Sequence, residues 1–70
     1  MMTYEEYLDE VTTLIYELFD VDEDYAVKIV LIAQDNEFFI KHDEQPEMRT
    51  QAQAEIDAET IYNTRGKKIN

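Results

Sequence analysis

Between Tyr4 and Phe19 the apolar side chains return at three- and four-residue spacings: Tyr4, Tyr7, Leu8, Val11, Leu14, Ile15, Leu18 and Phe19. At about 100° per residue most of them fill one arc of roughly 120°, which Phe19 extends. A strand, with its period of two, would scatter them over both faces. Glu5, Glu6, Asp9, Glu10 and Glu17 fall on the opposite arc. Thr3 followed three residues later by Glu6 is a capping-box pattern, in which each side chain accepts a hydrogen bond from the other's backbone amide. Glu5 and Glu6 also suit the positive end of the helix dipole. A helix over residues 4–19 is the element the rest of the chain must accommodate.

Asp20-Val21-Asp22 breaks the pattern. Asp22 is a good N-cap for a second helix over residues 23–34, with Glu23 and Asp24 favoured in its first turn. Val21, just ahead of the cap, is placed to staple onto Ala26 or Val27. Tyr25, Ala26, Ile29, Val30 and Ala33 form one apolar stripe, while Val27, Leu31 and Ile32 lie outside it. A helix that is apolar on more than one side must be covered on more than one side. Residues 22–34, DEDYAVKIVLIAQ, are therefore the expected hub. Lys28 is the only cation among them, and Asp24 stands four residues earlier in the favourable order for pairing. Asn36 is expected to end the helix in the left-handed conformation.

Residues 37–41 read as a short extra helical turn, because no second strand-like run exists for Phe38-Phe39-Ile40 to pair with. Residues 42–45 read as a polar connector that leaves His42 on the surface. Pro46 suits the first position of a third helix over residues 46–64, with Gln45 held extended before it. In that helix Ala54, Ala58, Ile61 and Tyr62 make one narrow stripe, and Met48, Ala52 and Ile56 make another. Gly66 ends it, and residues 66–70 are expected to be a frayed tail.

The expected fold is all-α: one domain over residues 1–70, with three main helices and the second at the centre. Seventy residues bury only about 60% of their unfolded surface, so such a core needs reinforcement. With no Cys in the chain, disulfides are excluded, and helix packing or self-association remains. A homodimer through the third helix or the surplus apolar side of the second follows as an expectation.

The pattern Leu18-Phe19-x-Val21, then Ala26-x-x-Ile29-Val30, then Asn36-Glu37-Phe38-Phe39 loosely resembles the ubiquitin-associated domain. The resemblance covers about a third of the chain and implies a compact three-helix arrangement. The glycine of that family's loop motif is missing, so ubiquitin binding is not carried over.

Seventeen acidic residues against six basic ones give a net charge of −11. All nine charged residues up to Asp24 are acidic. Such a chain repels nucleic acid and anionic membranes and is drawn to basic protein surfaces. The acidic N-terminus has no apolar run of a signal peptide, and no stretch approaches the roughly 20 apolar residues of a membrane span. A cytoplasmic setting is expected.

Catalysis has little to build on. The chain has no Ser or Cys, a single His and a single Gly near its end. Nucleophile and base, metal-ligand set and phosphate-cradling loop are thus all unsupported. Asp20-Val21-Asp22-Glu23-Asp24 matches the opening of a calcium loop. Tyr25 stands where that loop needs Gly, however, and Leu31 where it needs a bidentate Glu. No catalytic residue, cofactor or metal is expected, and the protein is read as a non-enzyme.

The acidic face carries the functional expectation. Carboxylates at i and i+4 lie about 6 Å apart along a helix, and such an array can stand in for phosphates in a basic groove. The expected partner-binding residues are Glu5, Glu6, Asp9, Glu10, Tyr16, Glu17, Asp20, Asp22, Glu23 and Asp24. Tyr16, at the edge of the acidic arc, is the expected aromatic anchor. The function this implies is occlusion of a basic, nucleic-acid-binding surface on a partner macromolecule, as a DNA-mimic-like inhibitor. In kind the chain is similar to small acidic proteins of phages and mobile elements that block host nucleases, restriction complexes or RNA polymerase. The alternative is a small adaptor or structural module acting through an apolar helical interface or a homodimer.

Overall fold

In a computed structural model that describes residues 1–67, the capping box forms as its spacing dictates. The Thr3 hydroxyl accepts from the Glu6 amide at 3.1 Å, and Glu6 Oε1 accepts from the Thr3 amide at 2.8 Å. Helix α1 (Tyr4–Leu18) starts there. Asp20 then takes a left-handed conformation, φ 53°, and turns the chain back; Asp is among the few residue types other than Gly that visit this region.

Helix α2 (Glu23–Asp35) follows. Asp22 occupies its N-cap position, but its side chain makes no capping hydrogen bond. Glu23 and Asp24 in the first turn supply the favourable dipole interaction instead. At the other end Asn36 is not left-handed, contrary to expectation; Glu37 is, at φ 66°. The Asn36 side chain is used otherwise: its amide donates to the Gly66 carbonyl at 2.9 Å and ties the end of α2 to the turn that follows the last helix.

The short helix α3 (Ile40–Glu44) lies three residues beyond the turn expected over residues 37–41 and takes in the presumed connector. Phe39, only 1% exposed, is pulled into the core. His42, three residues on, falls on the same helical face and follows it to 5% exposure. The surface placement expected of His42 is therefore wrong.

Pro46 opens only a 3₁₀ turn over Pro46–Met48, after an extended Gln45. Helix α4 (Gln51–Thr64) starts five residues later than expected, because Thr50 caps it by accepting from the Gln53 amide at 3.1 Å. Arg49, between the two, donates back to the His42 carbonyl at 3.0 Å and holds the loop in place.

Helix α4 ends on left-handed Arg65 and on Gly66, φ 77°. Gly66 is not part of a frayed tail: it is buried, and a Cβ there would lie 2.3 Å from the Ile29 carbonyl. Only glycine lets the chain pass α2 this closely. The rest of the expected tail, residues 68–70, lies outside the described residues.

The described residues are helical with no strand, so the all-α expectation holds. The centre differs. Helix α1 packs extensively on both α2 and α4, and those two touch each other less, so α1 is the hub and α2 a flank. Its Tyr7, Val11 and Ile15 are fully buried against Ala26, Ile29, Val30 and Ala33 of α2 and Ala54, Ala58 and Ile61 of α4. The alanines allow close approach of the helices, as the narrow stripes suggested. Leu18, at the last turn of α1, is 59% exposed despite belonging to the apolar arc. The second stripe of α4 faces outward, with Ile56 at 58%.

Candidate functional site

Seven of the ten expected partner-binding residues stand free in solvent: Glu5, Asp9, Glu17, Asp20, Asp22, Glu23 and Asp24. Two of the others have internal tasks. Glu6 closes the capping box, and hydrogen bonds from the Thr3 amide and then its hydroxyl hold its carboxyl below the usual range. Glu10 is half-buried and accepts from Gln51 Nε2 at 2.7 Å, joining α1 to α4. The tenth, Tyr16, is half-buried with its ring against the core. Among the described residues the one approach of a basic to an acidic side chain at ion-pair distance is that of His42 to Asp57. The expected Asp24–Lys28 pair therefore does not close, and the seven free carboxylates carry no salt-bridge partner among the described residues. Also among the described residues, no group of three or more His, Asp or Glu is placed to hold a metal. No helix is long and apolar enough to cross a membrane.

Beside this acidic arc, α1 and α2 leave an open groove of about 470 Å³. Helices joined by so short a turn run antiparallel, and Tyr4 at the start of α1 sits beside Gln34 near the end of α2. Leu8, Thr12 and Tyr16 line one wall, and Val27, Val30 and Leu31 the other. Each set recurs every three or four residues and so forms a single helical face. Val27 is 41% and Leu31 53% exposed. Asp9 borders the α1 wall and Glu23 the α2 wall. Of the three residues outside the main stripe of α2, Ile32 is half-covered and lies against Gly66. Val27 and Leu31 are left uncovered.

A second constellation is buried and polar. Asp57 Oδ2 accepts a hydrogen bond from the Tyr7 hydroxyl, and Asp57 Oδ1 accepts from Gln53 Nε2 at 3.0 Å. His42 Nε2 lies 2.8 Å from Oδ2. That approach is not a well-directed hydrogen bond, and neither ring nitrogen has a hydrogen-bond partner among the described residues. The Tyr7 and His42 rings stack at 5.1 Å. Burial, followed by the hydrogen bond to Asp57 and its charge, pushes the Tyr7 hydroxyl well above its usual range. With His42 and Asp57 almost wholly enclosed, this cluster cross-links α1, α3 and α4. One signal of it was available: Asp57 interrupts the Ala54, Ala58 and Ile61 stripe, and a carboxylate on a buried stripe must find partners. Its partners, 15 and 50 residues away, carry no local mark.

Comparison with protein-family models, with curated proteins and with solved structures finds no match.

Proposed function

We propose that the protein is a non-enzymatic binding protein whose acidic arc covers a basic, nucleic-acid-binding surface on a partner macromolecule. The observation that supports this reading is the set of seven exposed carboxylates on α1, the turn after it and the first turn of α2, none of which pairs with a cation among the described residues. A face that only solubilises intersperses cations among its acids; this one has none from Glu5 to Asp24. Unneutralised carboxylates repel one another, and a basic partner relieves that repulsion while releasing the counterions held on both surfaces.

The residues with internal tasks set the choice of variant. Reversing Glu6 would break the cap of α1, and reversing Glu10 would break its bond to Gln51. Glu5→Lys, Asp9→Lys and Glu17→Lys change only exposed groups. Affinity capture from a lysate of the source cell should retain a basic partner at low salt and release it at high salt. The triple variant should fail to retain it while keeping its helical circular dichroism. A partner held equally by both proteins at both salts would refute the electrostatic reading.

A second reading, an adaptor or homodimer working through apolar surface, draws on the exposure of Val27, Leu31 and Ile56. Neutralising the acidic arc would then matter little, and Leu31→Glu or Ile56→Glu would abolish association. Phe39 is unsuitable as a probe of that reading, because it is core.

A further inference from the structure

We infer that the groove between α1 and α2 receives one amphipathic helix of the partner, apolar along its buried edge and flanked by Lys or Arg. This rests on the acidic-arc reading and specifies the form of the basic partner.

The floor supplies the first argument. Val27 and Leu31, with half-buried Leu8 and Tyr16, give the groove apolar anchor points that no other part of the described chain covers, with Thr12 and Thr13 between those of the α1 wall. Its length supplies the second. From Glu23 to Gln34 the α2 wall runs twelve residues, about 16 Å, which matches three turns of a docked helix with anchors at i, i+4, i+7 and i+11. A third helix laid along two antiparallel ones is also the ordinary way to complete such a seam.

Charge selects the occupant. Asp9 and Glu23 border the two walls, so a guest helix meets a carboxylate on either side, and Lys or Arg flanks satisfy both. A second copy of this chain does not fit. It would bring its own Asp9 and Glu23 against the first pair, between two chains each of charge −11, with no cation on either wall. An extended peptide added as a strand is also unsuited, since the described residues offer no sheet edge.

The probe is a synthetic helical peptide with Leu at i, i+4, i+7 and i+11, Lys on both flanks and Ala elsewhere. The control is a scrambled peptide of identical composition. In ¹⁵N–¹H NMR titrations of the full chain the amphipathic peptide should shift the amides of Leu8, Tyr16, Val27 and Leu31. It should bind at least about tenfold more tightly than the scramble, the effect of losing one buried anchor. Leu31→Glu should lose that advantage while retaining the wild-type circular dichroism and melting temperature, and Ile56→Glu should keep it. Equal binding of both peptides would overturn the groove inference and leave the acidic-arc reading standing. Binding of neither would count against both. A wild-type dimer in sedimentation equilibrium that Leu31→Glu converts to monomer would overturn the inference in favour of self-association.

Discussion

Asp57→Ala is the sharpest test of what holds this small core together. The carboxylate is 4% exposed and serves Tyr7, His42 and Gln53 at once. Its removal leaves the Tyr7 hydroxyl without an acceptor and His42 without the carboxylate beside it. Tyr7 is enclosed, and stranding its hydroxyl costs about 1–3 kcal/mol; His42, whose ring nitrogens lack a hydrogen-bond partner even with Asp57 present, adds little. Gln53 is half-exposed and can turn to water, so its loss adds little. The expected total is about 2 kcal/mol. At roughly 0.05–0.15 kcal/mol per residue a chain of this length has about 4–10 kcal/mol in all, so the variant should lose a substantial share of its stability. The competing effect is the desolvation cost of burying these groups, which favours replacing them together. Tyr7→Phe, His42→Leu and Asp57→Leu combined should therefore recover most of the loss and be far from additive. Urea denaturation followed by circular dichroism measures all of these. Asp57→Ala within about 1 kcal/mol of wild type would show that the cluster is not a structural tie.

Three further outcomes follow from the same packing. Because the Tyr7 hydroxyl titrates above its unfolded value of 10.0, the folded state favours its protonated form. That stability is fully present below about pH 10 and is lost as pH rises further, at up to about 1.4 kcal/mol per pH unit. Denaturation followed against pH should show this fall, and Tyr7→Phe should flatten it, leaving a residue from Tyr4, which burial and then Asp43 also push up. Gly66→Ala should cost about 2–4 kcal/mol from overpacking and left-handed strain together, since its Cβ would meet the Ile29 carbonyl at 2.3 Å; an unchanged melting temperature would refute that contact. Thr50→Ala should cost about 1 kcal/mol by uncapping α4, whereas a helix that truly began at Pro46 would not notice the change.

Where local chemistry and tertiary packing agree, the chain was readable. The capping box, most of the apolar arc of α1 and the main stripes of α2 and α4 depend on spacings of three and four, and these lie where those spacings put them. The misreadings came where two local signals competed. Pro46 is a good first helical residue and Thr50 a good cap; the cap won because Arg49 is engaged with the His42 carbonyl between them. His42 has polar neighbours on both sides, and only its three-residue offset from Phe39 told of its burial. Taking α2 as the hub weighed its apolar content but not its neighbours, and the uncovered Val27 and Leu31 are what that surplus became. For the candidate site, the acidic residues were legible as a set. Which of them are free was not, because Glu10 is engaged by Gln51, 41 residues along the chain.

The central claim is that the acidic arc is a recognition surface, and its most direct measurement is the salt dependence of binding to the captured partner. Between about 50 and 200 mM salt the wild-type dissociation constant should rise steeply and linearly on logarithmic axes. Glu5→Lys, Asp9→Lys and Glu17→Lys should each weaken binding at low salt and reduce that slope, with helical content unchanged. A dissociation constant indifferent to salt and to all three reversals would contradict the account.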